Sequence, residues 1–286
     1  MPRGTIPRQP SKAGRHDKAK TSRIAAKPLK ITPPKNAKPQ PANLAPPKPP
    51  AAKSAASAPK AYNPIAPSRV REILRRLDAR YPDVQCALHH NSAWELLVAT
   101  ILSAQCTDVR VNMVTPTLFK KYPTLEHFAA LQPEELEPDI RSTGFFRNKS
   151  KSVVGAARKI LSDFGGEVPR TMEELLTIPG AARKTANVVL GSWFGIAAGV
   201  VVDTHVQRIS RRLELTKNED PRKIEQDLMQ IIPRGKWILY SHQIIHHGRA
   251  ICIARKPKCA ECPLEDLCHA ADKTWSTVEI HKNAKL

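Results

Sequence analysis

Apolar residues recur at helical spacing along most of the chain from Ser68 onward. In SRVREILRRLDARYP they lie three or four positions apart, as on one face of a helix. The run from Trp94 to Ala104 is apolar nearly all round, which is typical of a helix at the centre of a domain. The same spacing predicts further helices at 109–121, 124–131, 133–142, 148–164, 171–178, 182–193, 204–213, 221–232 and 236–248.

Strand-like alternation is scarce. The best strand candidate is GVVVD, from Gly199 to Asp203, and a buried connector explains that segment equally well. We therefore expect an all-α protein.

The first 62 residues differ from the rest in charge and proline content. They contain 14 Lys or Arg, one acidic residue and 13 of the 26 prolines, and they account for +13 of the net charge of +20. Such a segment buries too little apolar surface to offset its ordering entropy, so residues 1–64 are predicted to be a disordered basic tail. The tail either contacts phosphates non-specifically or only improves solubility.

The net charge of +20 points to a polyanionic partner, most often nucleic acid. The sequence contains no apolar run of 18 residues and no apolar signal core near its start. Thirteen prolines argue against an amphipathic transit peptide. We expect a cytoplasmic, nucleoid-associated protein with no membrane partner.

Four of the six cysteines form a C-x6-C-x2-C-x5-C pattern: Cys252, Cys259, Cys262 and Cys268. Without signs of secretion, such clustering favours a metal site over disulfides. Four thiolates suit zinc or a [4Fe–4S] cluster, and a single close pair with long arms on both sides favours the cluster. Cys86 and Cys106 stand apart and are expected to be small core residues.

The loop between the first two of these cysteines carries Arg255, Lys256 and Lys258. Three cations on a loop fastened by metal are suited to gripping phosphates. A solvated charge run is the alternative.

LLTIPGAARKTANVV predicts a helix, a tight turn at Pro179-Gly180 and a second helix. The free N–H groups of the turn and of the second helix's first turn are suited to binding a phosphate. Lys184 lies in that first turn beside Arg183. A helix start and a neighbouring cation both favour the neutral amine that a nucleophilic lysine needs. Taken alone, the local sequence favours a phosphate-binding or solvated lysine.

Asp203 follows the apolar GVVV segment and precedes a helical pattern. This is the usual place for an N-cap, and helix capping is one interpretation of the role of Asp203. The other is a carboxylate at the mouth of a cleft, where it activates a nucleophile or stabilises positive charge on a sugar.

Five motifs occur in order between Ser68 and Cys268. They are LSAQCTD, IPGAARKTANVVL, VVDTHV, HHGRAICIARKPKC and the four-cysteine spacing. In this combination the chain resembles the endonuclease III family of DNA glycosylases, within the helix-hairpin-helix glycosylase superfamily.

The resemblance implies a bilobed, all-α helix-hairpin-helix DNA glycosylase fold with DNA in the groove between the lobes. A six-helix barrel with the hairpin would span residues 86–197. An iron–sulfur lobe would combine 65–85 with 198–273, and 274–286 would form a C-terminal tail.

By position, the resemblance makes Lys184 the Schiff-base lysine and Asp203 the catalytic aspartate. The four clustered cysteines match the [4Fe–4S] ligands. The implied reaction is bifunctional: an oxidised pyrimidine is removed from double-stranded DNA, and the abasic site is cleaved on its 3′ side by β-elimination. The enzyme is expected to act as a monomer on damaged pyrimidines and abasic sites.

The family extrudes the damaged base from the duplex. Gln105 matches the residue that fills the gap, and Phe145 falls where the family carries its wedge. His205 matches a residue that lines the flipped-base site or contacts the backbone. The hairpin residues Gly180, Ala182 and Arg183 and the cations of the cysteine loop are expected to bind DNA.

One departure from the family pattern falls in the hairpin. The family usually has Pro-Gly-Val-Gly, whereas this chain has Ala182 in place of the second glycine. We predict that the backbone at Ala182 has a negative φ or carries mild strain.

Two alternatives remain open at this point. An adenine DNA glycosylase of the same superfamily shares the cysteine spacing, but it lacks the lysine and carries an extra C-terminal domain; here 18 residues follow Cys268. A non-catalytic, metal-stabilised DNA-binding protein would not need Lys184 and Asp203 together.

Overall fold

The computed structural model describes residues 62–274, and this part of the chain is helical. It contains eleven α-helices: α1 Pro67–Arg80, α2 Ala93–Leu102, α3 Asp108–Lys121, α4 Leu125–Ala130, α5 Pro133–Ile140, α6 Phe146–Phe164, α7 Met172–Leu175, α8 Arg183–Ser192, α9 Thr204–Arg212, α10 Pro221–Ile231 and α11 Trp237–Ala250. Short 3-10 turns lie at Arg141–Thr143, Arg234–Lys236, Cys259–Glu261 and Glu265–Leu267. Residues 1–61 of the predicted disordered tail and residues 275–286 of the predicted C-terminal tail lie outside the described residues.

The helix starts follow local capping chemistry. Ser92 accepts a hydrogen bond from the Glu95 N–H at the start of α2, and Thr171 does the same for Glu174 at the start of α7. Such side chains satisfy N–H groups that a helix leaves unpaired. The helix predicted over 171–178 is shorter than expected, because its last residues form the turn that leads to Gly180.

Two hydrophobic clusters organise the described residues. The first contains Val201 and residues between Leu88 and Leu190, and it is built around α2, whose buried side chains face α3, α6 and α8. The second combines α1 with residues from Val200 to Leu264, and in it α11 packs against α1 and α9.

The GVVVD segment is a connector, and it forms no strand within the described residues. Val200 and Val202 belong to the second cluster, whereas Val201 belongs to the first. An extended backbone sends successive side chains to opposite sides, which explains the strand-like alternation. The segment therefore delivers Asp203 to the place where the two clusters meet.

No described helix has the length and apolar character needed to span a membrane.

Candidate active site

The hairpin between α7 and α8 requires glycine at position 180. Gly180 has φ 80°, and a Cβ there would lie 2.8 Å from the Cβ of Ser152 and 3.3 Å from Cδ1 of Ile101. Ala182 has φ −73° and ψ 168° at the N-cap of α8. The prediction of a negative φ at Ala182 is confirmed, so alanine fits this position without strain.

Lys184 and Asp203 line the same two adjoining pockets. One of them, the inner pocket, has buried apolar walls, supplied among others by Leu88, Val188 and Val201. The outer one is an open cleft that also contains predicted DNA-contacting residues, namely Gln105 and His205. The structure thus brings together four predicted site residues that are spread along the sequence: Gln105, Lys184, Asp203 and His205.

Asp203 caps α9, as its position in the sequence predicts. Its Oδ1 accepts hydrogen bonds from the N–H groups of His205 and Val206, both at 2.8 Å. The cap occupies one of the two carboxylate oxygens. An N-cap and a carboxylate at the pocket mouth are therefore compatible roles for one residue.

His205 is half-buried between charged neighbours. Burial lowers its pKa, the cations Arg208 and Arg249 lower it further, and Asp203 opposes them. The Nη2 of Arg208 lies 3.2 Å from its Nδ1. The lowered pKa favours the neutral imidazole, which lines the cleft as a hydrogen-bonding group.

Arg183 is paired within the protein. Its Nε and Nη2 donate to the two carboxylate oxygens of Glu225 at 2.6 and 3.1 Å, and Glu225 also accepts from Asn187 at 2.8 Å. Glu225 is only 4% exposed. The pair fastens the first turn of α8 to α10, a role that the sequence does not indicate. Contact between Arg183 and DNA stays a prediction.

An ion pair on the wall of both pockets was not predicted from the sequence. Arg249 Nη2 donates to Asp108 Oδ2 at 2.6 Å, and both residues line the inner pocket and the outer cleft. Their place in two of the family motifs, LSAQCTD and HHGRAIC, is the signal that could have identified them.

Three predicted DNA-contacting residues have left-handed backbones. Among the described residues, four non-glycine residues have positive φ: Gln105 (53°), Phe145 (48°), Glu214 (55°) and Lys256 (54°). This conformation costs an L-residue roughly 1–2 kcal/mol and tends to occur at functional sites. Phe145 is also 61% exposed, which is unusual for a phenylalanine.

Cys86 and Cys106 are partly buried against the first hydrophobic cluster, close to the expected core role. They also form part of the site, because Cys86 lines the inner pocket and Cys106 lines the outer cleft.

The four clustered cysteines line one pocket. No three His, Cys, Asp or Glu side chains in residues 62–274 come close enough together to hold a single metal ion. Four free cysteines that line one pocket provide the ligand set that a [4Fe–4S] cluster requires. Burial raises the pKa of Cys262 to about 12 and raises that of Cys268, so these groups are thiols in the metal-free protein and would have to lose their protons to bind iron.

Arg212 holds the cysteine loop in place through hydrogen bonds. Its Nη1 donates to Cys252 Sγ at 3.2 Å and to the carbonyl oxygen of Ile253 at 2.9 Å, and its Nη2 donates to that of Ala254 at 3.1 Å. The loop's three cations, at 255, 256 and 258, remain exposed. The hydrogen bonds from Arg212 therefore fix the loop backbone, while the three cations face solvent.

Comparison with known proteins agrees with this geometry. Residues 98–234 match the helix-hairpin-helix superfamily of base excision DNA repair proteins, and residues 252–268 match the iron–sulfur binding domain of endonuclease III. Fold and site therefore define a helix-hairpin-helix DNA repair glycosylase with a [4Fe–4S] cluster.

Its relatives place it more narrowly. Endonuclease III of Synechocystis is 59% identical over 71% of this chain and 93% of the relative. Endonuclease III of Bacillus subtilis is 45% identical over 70% of this chain and 91% of the relative. The chain belongs to the endonuclease III family of DNA glycosylases and abasic-site lyases.

Two solved structures show the same fold. A trapped covalent endonuclease III–DNA intermediate is 42% identical, with a TM-score of 0.68, over 71% of this chain and 96% of that chain. A non-covalent endonuclease III–DNA complex is 40% identical, with a TM-score of 0.69, over 76% of this chain and 99% of that chain.

Proposed function

We propose that the chain is a bifunctional base-excision enzyme in which Lys184 is the nucleophile and Asp203 its partner. The observation that carries the proposal is that both residues line one pocket where the two hydrophobic clusters meet. The related structure described as a trapped covalent endonuclease III–DNA intermediate supports a covalent reaction.

In the proposed reaction the Lys184 amine attacks C1′ of the damaged nucleotide as the bond to the base breaks. The Asp203 carboxylate stabilises the positive charge that develops on the sugar. Loss of one amine proton, followed by opening of the ring as O4′ takes up a proton, gives a protonated Schiff base, which acidifies the C2′ proton. Removal of that proton breaks the C3′–O bond, and water then hydrolyses the Schiff base to release the lysine.

The inner pocket is the proposed site for the extruded base. Its walls combine apolar side chains with the Arg249–Asp108 ion pair, so they offer a flat base both packing and hydrogen bonds. Oxidised or ring-broken pyrimidines are the proposed substrates, together with abasic sites in double-stranded DNA. Gln105 and Phe145 would fill the gap that the base leaves, and His205 would line the site.

The phosphates would be held on both sides of this pocket. The hairpin is exposed at Gly180 and Ala182, and it offers the N–H groups at the start of α8. The cysteine loop offers Arg255, Lys256 and Lys258. Because the Arg183 guanidinium is already paired with the Glu225 carboxylate, we assign most of the hairpin's affinity for DNA phosphates to backbone N–H groups.

Cys252, Cys259, Cys262 and Cys268 are the proposed ligands of the [4Fe–4S] cluster. When bound, the cluster supplies structural cross-linking of the loop rather than bond chemistry. Arg212 donates to Cys252 Sγ, and this charge-assisted hydrogen bond suits a thiolate.

We further propose two lobes at 86–197 and at 65–85 with 198–273, supported by the distribution of the two hydrophobic clusters. The proposed state is a monomer acting at the cytoplasmic nucleoid.

Borohydride trapping tests the proposal. The protein is incubated with a duplex that carries one oxidised pyrimidine or one abasic site, and borohydride reduces any Schiff base to a stable adduct. We expect an adduct with the wild-type protein and none with Lys184→Gln. No adduct with the wild-type protein would favour the non-catalytic DNA-binding alternative. Adenine release without strand cleavage would favour an adenine glycosylase.

A further inference from the structure

Lys149 is a buried lysine that the proposed reaction does not use. It lies in the first turn of α6 and is only 4% exposed. Its ammonium donates hydrogen bonds to the carbonyl oxygens of Leu102 at 2.8 Å and Thr143 at 2.7 Å. Burial lowers the pKa of this lysine. The fold therefore holds a cation here against the cost of removing it from water.

Both carbonyls end helices that lead directly into the loops with the proposed DNA-inserting residues. Leu102 is the last residue of α2, and Gln105 follows three positions later. Thr143 ends the 3-10 turn that begins at Arg141, and Phe145 follows two positions later. Carbonyls at a helix C-terminus lack intrahelical partners and favour a cation. One ammonium thus caps two helix ends and connects the points where the two loops begin.

The backbone of each loop is also in an unfavourable conformation. Gln105 and Phe145 have φ 53° and 48°, and such conformations persist only where the surroundings hold them. The backbone N–H of Lys149 donates to the Phe145 carbonyl at 3.1 Å, so this residue contacts the second loop through both its backbone and its side chain.

We propose that Lys149 is a positioning residue for insertion into DNA. It fixes the spacing between the two loops, so that Gln105 and Phe145 enter the duplex together. Lys149 acts through these residues and does not touch the DNA. The inference rests on the proposed function, in which the same two side chains fill the gap left by the extruded base.

The test compares Lys149→Met with the wild type in the full-length protein. Methionine has a similar length but no charge and no N–H donor, so both carbonyls lose their partner. Lys151→Met is the matched control, because Lys151 is an exposed lysine on the same helix. Each protein is assayed on an abasic site in a duplex and on the same site in a single strand, where no base stack needs filling.

We expect kcat/KM of Lys149→Met on the duplex to fall on the order of 100-fold, since a shift of about 1 Å in positioned groups has that effect. Activity on the single strand should stay close to wild type. A 2-aminopurine opposite the abasic site should show a slower fluorescence change when Lys149→Met binds, because insertion itself is slowed. Lys151→Met should match the wild type in all three assays.

Circular dichroism and the visible absorbance of the cluster confirm that the variant is folded. If Lys149→Met does not fold, Lys149→Gln, which keeps a neutral N–H donor, takes its place, and the same selective loss on the duplex is expected. An equal loss on both substrates, or no loss on the duplex, would overturn the proposal. Absence of lyase activity in the wild type on either substrate would instead refute the proposed function.

Discussion

Gly180→Ala should destabilise the protein through two effects that the structure separates. A left-handed backbone, φ 80° here, costs an L-residue roughly 1–2 kcal/mol. The new Cβ would lie 2.8 Å from the Cβ of Ser152, and crowding of this kind typically costs about 1–3 kcal/mol. The sum is roughly 2–5 kcal/mol, a large share of the about 5–15 kcal/mol that stabilises a typical domain.

Gly195→Ala is the matched control. Gly195 has φ 66°, but no atom lies within 4 Å of the position that a Cβ would take. This variant should lose only the conformational part, roughly 1–2 kcal/mol. The difference between the two variants therefore measures the contact with Ser152.

Urea unfolding followed by far-UV circular dichroism gives the free energy of unfolding of each variant. We expect a lower urea midpoint for Gly180→Ala than for Gly195→Ala. Equal losses in the two variants would refute the reasoning, because they would show that the hairpin relaxes away from Ser152 at no cost.

Three further predictions concern the site. Asp203→Asn keeps the helix cap and should leave stability nearly unchanged, whereas Asp203→Ala should lose about 1 kcal/mol in urea unfolding. Both variants should form the borohydride-trapped adduct more slowly than the wild type. If Asp203→Asn formed the adduct at the wild-type rate, the carboxylate would have no chemical role. Arg212→Met removes the hydrogen bonds that hold the cysteine loop. This variant should therefore lose the visible absorbance of the cluster faster in air, and its DNA binding should depend less on salt concentration. Wild-type behaviour in both assays would contradict this prediction. Burial lowers the pKa of His242, so below about pH 6.5 the unfolded state binds a proton that the folded state resists. Stability should therefore fall from pH 7 to pH 5, and His242→Gln should show a smaller fall in urea midpoint; an identical fall would contradict the assignment.

Local patterns were sufficient to predict most helices and the identity of the hairpin. The spacing of apolar residues anticipated α6, which begins two residues before the expected 148. Local chemistry also anticipated the Asp203 cap and the negative φ of Ala182. These features depend on residues within a few positions of one another, so the sequence carries them directly.

Features that depend on distant partners could not be predicted. The partner of Arg183 lies 42 positions away at Glu225, and Lys149 binds a carbonyl 47 positions away. Nothing local distinguishes a buried lysine in a first turn from a solvated one. The valines of GVVVD likewise alternate because two separate clusters enclose them, which only the tertiary fold reveals.

Mass spectrometry of the borohydride-trapped complex tests the central claim most directly. The wild-type protein is trapped on an abasic-site duplex and digested with protease and nuclease, and the modified peptide is sequenced. We predict a single deoxyribose-derived adduct on Lys184. An adduct on another lysine or on the N-terminal amine, with Lys184 unmodified, would contradict the account.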